Sequence, residues 1–251
     1  MWATPEAAER FLRKQNSLVR RGVTVPDKRC GTLIHMTDTS SPDPVARLNS
    51  YAEAAIIEDD ALVGARLRAE ELGATAISPA TGALLSLLAR TAGAQHVVEI
   101  GTGTGVGGLW LLAGMPSTGI LTTIDPESEH HRAARESFAD ADIAPGRTRL
   151  INGAPSDVLT RLADTSYDLV FVDGPLLSYP AFITEAVRIL RPGGLLVVNN
   201  ASAGGTIDDP TAKDPRTLAA REAASIVADD DRFLPAVIPV GSGLLAAAKA
   251  R

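Results

Sequence analysis

A three-layer α/β domain on a mostly parallel sheet is the fold class this 251-residue sequence predicts, and three observations predict it. Short apolar runs alternate with helical stretches from residue 96 onward, a glycine-rich turn follows the first run, and the last two runs are joined by Gly241-Ser242-Gly243. Strands alternating with helices of this length are βαβ units, which build a parallel sheet covered on both faces. Two strands joined by a tight glycine turn form a hairpin, so one of the last two runs antiparallel to the rest. With 45% hydrophobic and 22% charged residues, the chain is an ordinary globular protein able to bury a substantial core. That balance excludes disordered and collagen-like classes, and the length accommodates one large domain better than two.

The elements follow in order. Residues 1–43 read as a basic N-terminal extension, a flexible tail or an over-long start. Residues 1–35 hold seven Arg or Lys and three acids, a net +4, so with −6 for the whole chain the remainder carries −10. Met36 precedes a Ser/Asp/Pro-rich stretch, Thr37 to Pro44, of the kind that opens a domain, and is a candidate first residue; the domain proper is expected over 44–251. From Pro44, Val45, Leu48, Ala52, Ala55 and Ile56 fall at three- and four-residue spacing, and Leu62, Ala65, Ala69 and Leu72 repeat it up to Gly73, a C′ stop. Ser78-Pro79 supplies an N-cap and a first-turn proline for a third helix that is expected to bury Leu84, Leu85, Leu87 and Leu88. Strands are predicted at His96–Ile100, Ile120–Ile124, Thr148–Ile151, Leu169–Val172 and Leu195–Val198. Helices are expected near 105–115, 127–139, 156–163, 180–190 and Leu218–Val227, with the final strands at Phe233–Val240 and Leu244–Lys249.

Composition also narrows function. A single cysteine, Cys30, excludes a disulfide framework and a Cys-rich zinc site. The acidic balance gives no general footprint for nucleic acid. With no apolar run of 18 residues and no signal-peptide core, no membrane partner is expected, and the expected compartment is the cytoplasm.

In an open parallel sheet, ligands bind beyond the carboxyl ends of the strands, where strand order reverses. Glu99, Gly101, Asp125, Asn152, Asp173, Asn199 and Asn200 close the apolar runs there. Gly103, Gly105 and Gly108 formally satisfy the dinucleotide fingerprint, a weak match on its own. Glu99 sits two residues ahead of Gly101, where its charge would oppose a pyrophosphate. An acid-lined loop suits S-adenosylmethionine, which carries a sulfonium and an ammonium and no phosphate. Asp125, 24 residues past Gly101, stands where a carboxylate accepts both ribose hydroxyls; it also reads as an N-cap ahead of Pro126. His130 and His131, among Glu127, Glu129, Arg132 and Arg135, read as part of a solvated helix face. Asp168 reads as structural, Trp110 as core, and Gly204-Gly205 as a mobile loop beside the pocket and a candidate lid.

Glu99-Ile100-Gly101-Thr102 with Gly105, then Asp125, Tyr167-Asp168-Leu169-Val170-Phe171-Val172-Asp173, Leu190-Arg191-Pro192-Gly193-Gly194 and Pro239-Val240-Gly241-Ser242-Gly243-Leu244 resemble successive motifs of the class I S-adenosylmethionine-dependent O-methyltransferases. The nearer resemblance is to the catechol and caffeoyl-CoA O-methyltransferase group and its bacterial relatives, over residues 45–250. It implies a Rossmann-like methyltransferase fold whose seven-stranded sheet ends in an antiparallel C-terminal hairpin. It also implies methyl transfer to a hydroxyl of a small aromatic acceptor, and a homodimer with the helices before residue 93 contributing. The cofactor-binding positions it implies are Ile77 (main chain), Glu99, Gly101, Thr102, Gly107, Asp125, Ala154 and Asp173, with Asp173 also the catalytic candidate.

The family's metal site maps to Asp173, Asn199 and Asn200, for a divalent cation such as magnesium. Where the family has Asp-Asn this chain has Asn-Asn, and losing one of two carboxylates weakens a hard cation's site. Leu176 stands at the family's catalytic lysine, and Gly107 where a serine is usual. A protein of this fold that binds the donor without efficient turnover is therefore the second reading, and a nicotinamide oxidoreductase the third.

Overall fold

A computed structural model describes residues 44–251; the extension predicted over 1–43, with Met36, lies outside the described residues. Three helices come first: α1 (Pro44–Ala54), α2 (Asp60–Leu72) and α3 (Pro79–Thr91). The alternating part follows as β1 (His96–Ile100), α4 (Val106–Gly114), β2 (Ile120–Asp125), α5 (Ser128–Asp140), β3 (Thr148–Asn152), α6 (Pro155–Leu159), β4 (Tyr167–Val172), α7 (Tyr179–Ile189), β5 (Leu190–Val198), α8 (Pro215–Ala228), β6 (Phe233–Ile238) and β7 (Leu244–Lys249). The seven strands form one sheet in the order β3-β2-β1-β4-β5-β7-β6. Only β7 is reversed, pairing antiparallel with β5 and β6, so the predicted C-terminal hairpin is present. Strand order turns back between β1 and β4, which pair in parallel.

Period-two alternation sorts the strand side chains between two cores. In β4, Leu169 and Phe171 pack with Leu85, Leu111 and Phe138 of α3, α4 and α5 on one face. Val170 and Val172 pack with Phe182, Ile183 and Val227 of α7 and α8 on the other. The caps are those the sequence encodes. Ser78 accepts the Thr81 N–H at the start of α3, and Gly73, at φ 65°, closes α2 with its N–H on the Ala69 and Glu70 carbonyls. Asp168 is structural, as expected: its carboxylate accepts the Gln95 and His96 N–H groups at 2.8 and 2.7 Å and an Arg191 guanidinium, tying β1 and β5 to β4 at the end of the sheet away from the glycine loop.

Some expectations shift. Leu87 faces outward at 56% exposure, because α3 turns Leu85 and Ala89 inward and leaves Leu87 off that stripe. The first helix ends at Ala54, α6 is only five residues long, and β5 begins at Leu190, taking Arg191-Pro192-Gly193-Gly194 into the strand edge. Trp110 is half-buried; its Nε1 donates to Glu58 Oε1 at 3.3 Å, and its ring fills the space over Gly82. Among the described residues no helix is long and apolar enough to cross a membrane.

Candidate active site

At the carboxyl ends of β1, β2 and β4 a crevice of about 720 Å³ opens, and all eight cofactor-binding positions expected from sequence line it. The turn after β1 starts it. Gly101 has φ 98°, and a Cβ there would stand 2.3 Å from the Asp173 carbonyl oxygen, so both backbone conformation and the close approach of β4 require glycine. Thr104 Oγ1 then donates to the Ala65 carbonyl at 2.7 Å, tying the loop to α2.

Glu99 is the penultimate residue of β1 and its carboxylate is buried. Thr123 Oγ1 donates to Glu99 Oε2 at 2.7 Å and lies 2.7 Å from Thr102 Oγ1, so Thr102 donates to Thr123 and the two hydroxyls relay into the acid. Burial lifts Glu99 to about 8 against the Thr123 hydrogen bond, with the charges of Asp173 and Asp125 adding to the rise. A Cβ on Gly107 would meet Glu99 Oε1 at 2.3 Å, so glycine at 107 leaves that carboxylate its space.

Asp125 closes β2. Its carboxylate accepts the Gly103 N–H at 3.1 Å and the Glu127 N–H at 2.9 Å, and His130 Nδ1 lies 3.1 and 3.2 Å from its two oxygens. His130 is thus part of the crevice, against the solvated face expected for it. His131 is buried as well: Nε2 donates to the Asp125 carbonyl at 2.9 Å, while Nδ1 has no partner among the described residues. The signal for both was spacing. Five and six residues beyond a strand-ending Asp, the first turns of the following helix come back over the strand end. Ile77 lies on the opposite wall, its side chain buried and its carbonyl held by Arg66 Nη1 at 2.7 Å. Ala154 caps the short α6.

Asp173 follows β4, and burial raises its carboxyl to about 7 against a hydrogen bond from Asn199. That bond, Asn199 Nδ2 to Asp173 Oδ1, is 2.7 Å, and Ser242 Oγ of the β6–β7 turn donates to Asn199 Oδ1 at 3.2 Å. An ionised carboxylate only accepts, so Asn199 turns its donor toward Asp173 and its oxygen away. Asn200 sits at φ 53°, and its side-chain oxygen accepts the Gly204 N–H at 3.2 Å within the following loop. The set Asp173, Asn199 and Asn200 therefore does not present three oxygens to one point and does not fit a hard divalent cation. Among the described residues no group of three or more His, Cys, Asp or Glu is placed to hold a metal. Leu176, at the family's lysine position, is buried in the core.

The loop expected to be a mobile lid is anchored. Buried Arg221 of α8 donates to the carbonyls of Ile207 at 3.0 Å, Ala212 at 2.8 Å and Thr206 at 3.2 Å, and also to that of Asp209.

A reversed final strand, a strand order turning back between β1 and β4, and an acid-walled crevice at that turn define a Rossmann-like methyltransferase fold. The O-methyltransferase family profile matches residues 49–250, and the chain belongs to that family. A Mycolicibacterium vanbaalenii protein named as an O-methyltransferase is 55% identical over 215 residues, covering 83% of this chain and 95% of the relative. One from Mycobacterium tuberculosis is 52% identical over 214 residues, covering 85% and 96%. Among crystal structures, a Corynebacterium glutamicum protein superposes with a TM-score of 0.78 at 38% identity, covering 83% of this chain and 98% of the other. The O-methyltransferase TomG of Streptomyces achromogenes, solved in complex with SAM, superposes with a TM-score of 0.75 at 30% identity, covering 82% and 96%.

Proposed function

We propose that this chain, an S-adenosylmethionine-dependent O-methyltransferase, methylates a hydroxyl of a small aromatic acceptor, with Asp173 taking the proton. The observation that carries the reading is the acid wall of one crevice, Glu99, Asp125 and Asp173 with the exposed Glu127, and no basic side chain among its lining residues except His130. A cationic donor favours the ionised forms of these acids and a diphosphate opposes them, which sets the nicotinamide alternative aside.

The donor supplies an electrophilic methyl on a sulfonium. Asp125, held by Gly103 and Glu127, offers its oxygens to the ribose hydroxyls beside His130, and Glu99 faces the positive methionine end. Asp173 sits at the turn between the two halves of the sheet. With its carboxyl raised to about 7, it is a base matched to neutral pH. The acceptor oxygen forms a bond to the methyl carbon as the carbon–sulfur bond breaks toward sulfur, and the acceptor proton passes to Asp173; alignment and exclusion of water supply most of the rate. Asn199, held by Ser242, positions Asp173 where relatives with a second carboxylate would recruit a cation, so turnover needs no metal.

A screen with labelled donor over phenols, with and without EDTA, tests this. Labelled product with and without EDTA is expected. Tight S-adenosylhomocysteine binding with no product from any phenol would favour the non-catalytic reading, and activity abolished by EDTA and restored by magnesium would overturn the metal-free one. We also propose a homodimer through the helices before β1, where Val45, Leu48, Tyr51 and Ile57 lie exposed.

A further inference from the structure

Three donors converge on the Asp125 carboxylate. The Gly103 N–H reaches Oδ2 at 3.1 Å and the Glu127 N–H reaches Oδ1 at 2.9 Å, one main-chain donor to each oxygen. His130 Nδ1 lies between the two, 3.2 Å from Oδ1 and 3.1 Å from Oδ2. A carboxylate only accepts, so Nδ1 carries the hydrogen, and its two oxygens together offer about four lone-pair sites. Main chain takes one on each oxygen. A ring nitrogen almost equidistant from both oxygens covers the remaining pair. That midline is also where a vicinal diol must sit, because its neighbouring hydroxyls donate one to each oxygen. The imidazole and a ribose therefore compete for the same face of Asp125. The ring is free to yield without disturbing the strand end. His131 Nε2 donates to the Asp125 main-chain carbonyl at 2.9 Å and ties the first turn of α5 to β2. Asp125 keeps both main-chain donors, and the His130 side chain is 24% exposed on the open crevice.

We infer that His130 is a displaceable positioning residue of the donor site: it covers the ribose face of Asp125 while the crevice is empty and surrenders that face to the diol of the adenosyl group. The inference rests on the methyl-transfer reading and deepens it. Exchanging one shared imidazole N–H for two hydroxyls gains a charge-assisted hydrogen bond, so a ligand with an intact diol displaces the ring and a ligand without one leaves it in place. Donor and product both bind against the His130–Asp125 contact, and the contact re-forms as the product leaves. A histidine that merely braced Asp125 would act in the opposite direction, since removing it would weaken every ligand.

The probes are S-adenosylhomocysteine and its 2′,3′-dideoxyribose analogue, titrated into the full chain at one pH by calorimetry. The wild-type chain is expected to bind S-adenosylhomocysteine at least tenfold more tightly than the analogue. His130→Ala is expected to tighten S-adenosylhomocysteine at least threefold and to leave the analogue within twofold. In the wild-type chain, the ¹⁵N resonance of His130 Nδ1 is expected to shift on saturation with S-adenosylhomocysteine and to stay in place with the analogue. Weaker or unchanged S-adenosylhomocysteine binding by His130→Ala, equal wild-type affinity for the two probes, or a His130 resonance indifferent to S-adenosylhomocysteine would overturn the assignment. Failure of the wild-type chain to bind S-adenosylhomocysteine at all would instead overturn the methyl-transfer reading.

Discussion

On the proposed reading Glu99 and Asp125 hold the donor by different means, and their substitutions separate them. Asp125 is fixed by two main-chain N–H groups and His130 before any ligand arrives, so Asp125→Ala removes a preorganised acceptor of ribose hydroxyls. Calorimetry is expected to show a loss of about 1–3 kcal/mol in affinity for S-adenosylmethionine and S-adenosylhomocysteine alike. Glu99 is raised to about 8, so at neutral pH it is largely protonated in the empty site and must release its proton to face a cation. S-Adenosylmethionine affinity is therefore expected to rise with pH between about 6 and 8, by at most about tenfold per unit, and Glu99→Gln is expected to flatten that slope. A pH-independent affinity in the wild-type chain would remove Glu99 from the donor site. Glu99, Gly101, Asp125 and Asp173 were legible because they close apolar runs, whereas Ile77, Thr102, Gly107 and Ala154 were reached through the family resemblance. His130 was not legible, since a His among Glu and Arg on one helix looks solvated until the helix is seen to fold back on Asp125. The inward turn of Asn199 was equally hidden, because the partner that sets it, Ser242, is 43 residues away.

Among the elements, the segment between β5 and α8 departs most from its sequence reading. Gly204-Gly205 and the polar residues after them carry a loop signature, and nothing local says that Arg221, on the next helix, spans back to four of the loop's carbonyls. A buried guanidinium with several acceptors fixes a loop far more firmly than composition indicates. Arg221→Ala is expected to cost about 3 kcal/mol of stability by denaturant unfolding, whereas an unchanged midpoint would mean that the loop is held by its own turns. The strands other than β5, by contrast, were found to within two residues, because a parallel strand buried on both faces is a continuous apolar run bounded by turns. Helix boundaries were less legible: α1 has no buried residue, so its apolar spacing does not report packing.

For the molecule as a whole, burying acids in an empty crevice sets a pH dependence of stability. Glu99 rises from 4.5 to about 8 and Asp173 from 3.8 to about 7 on folding. Each contributes stability that is fully present below its unfolded value and lost as pH rises through its folded one. The melting temperature of the ligand-free chain is thus expected to fall from pH 5.5 to 8.5, and saturating S-adenosylmethionine is expected to remove most of that fall; a flat ligand-free profile would mean that neither acid is desolvated. Assembly is open to the same kind of test. Light scattering is expected to give a dimer mass for the wild-type chain and a monomer mass for Ile57→Glu, whose parent side chain is 93% exposed. A monomer at all concentrations would dismiss the helical face as an interface.

The strand order has a consequence for how such a protein diversifies. Of the eight expected donor positions only Asp173 lies beyond β4, and the residues that hold it, Asn199 and through it Ser242, lie beyond β4 as well. Changes at Asn199 or Ser242 therefore reach the crevice through Asp173. On the proposed reading, a lineage can retune the proton-accepting end through two side chains of the C-terminal half while the positions expected to grip the methyl source are inherited unaltered.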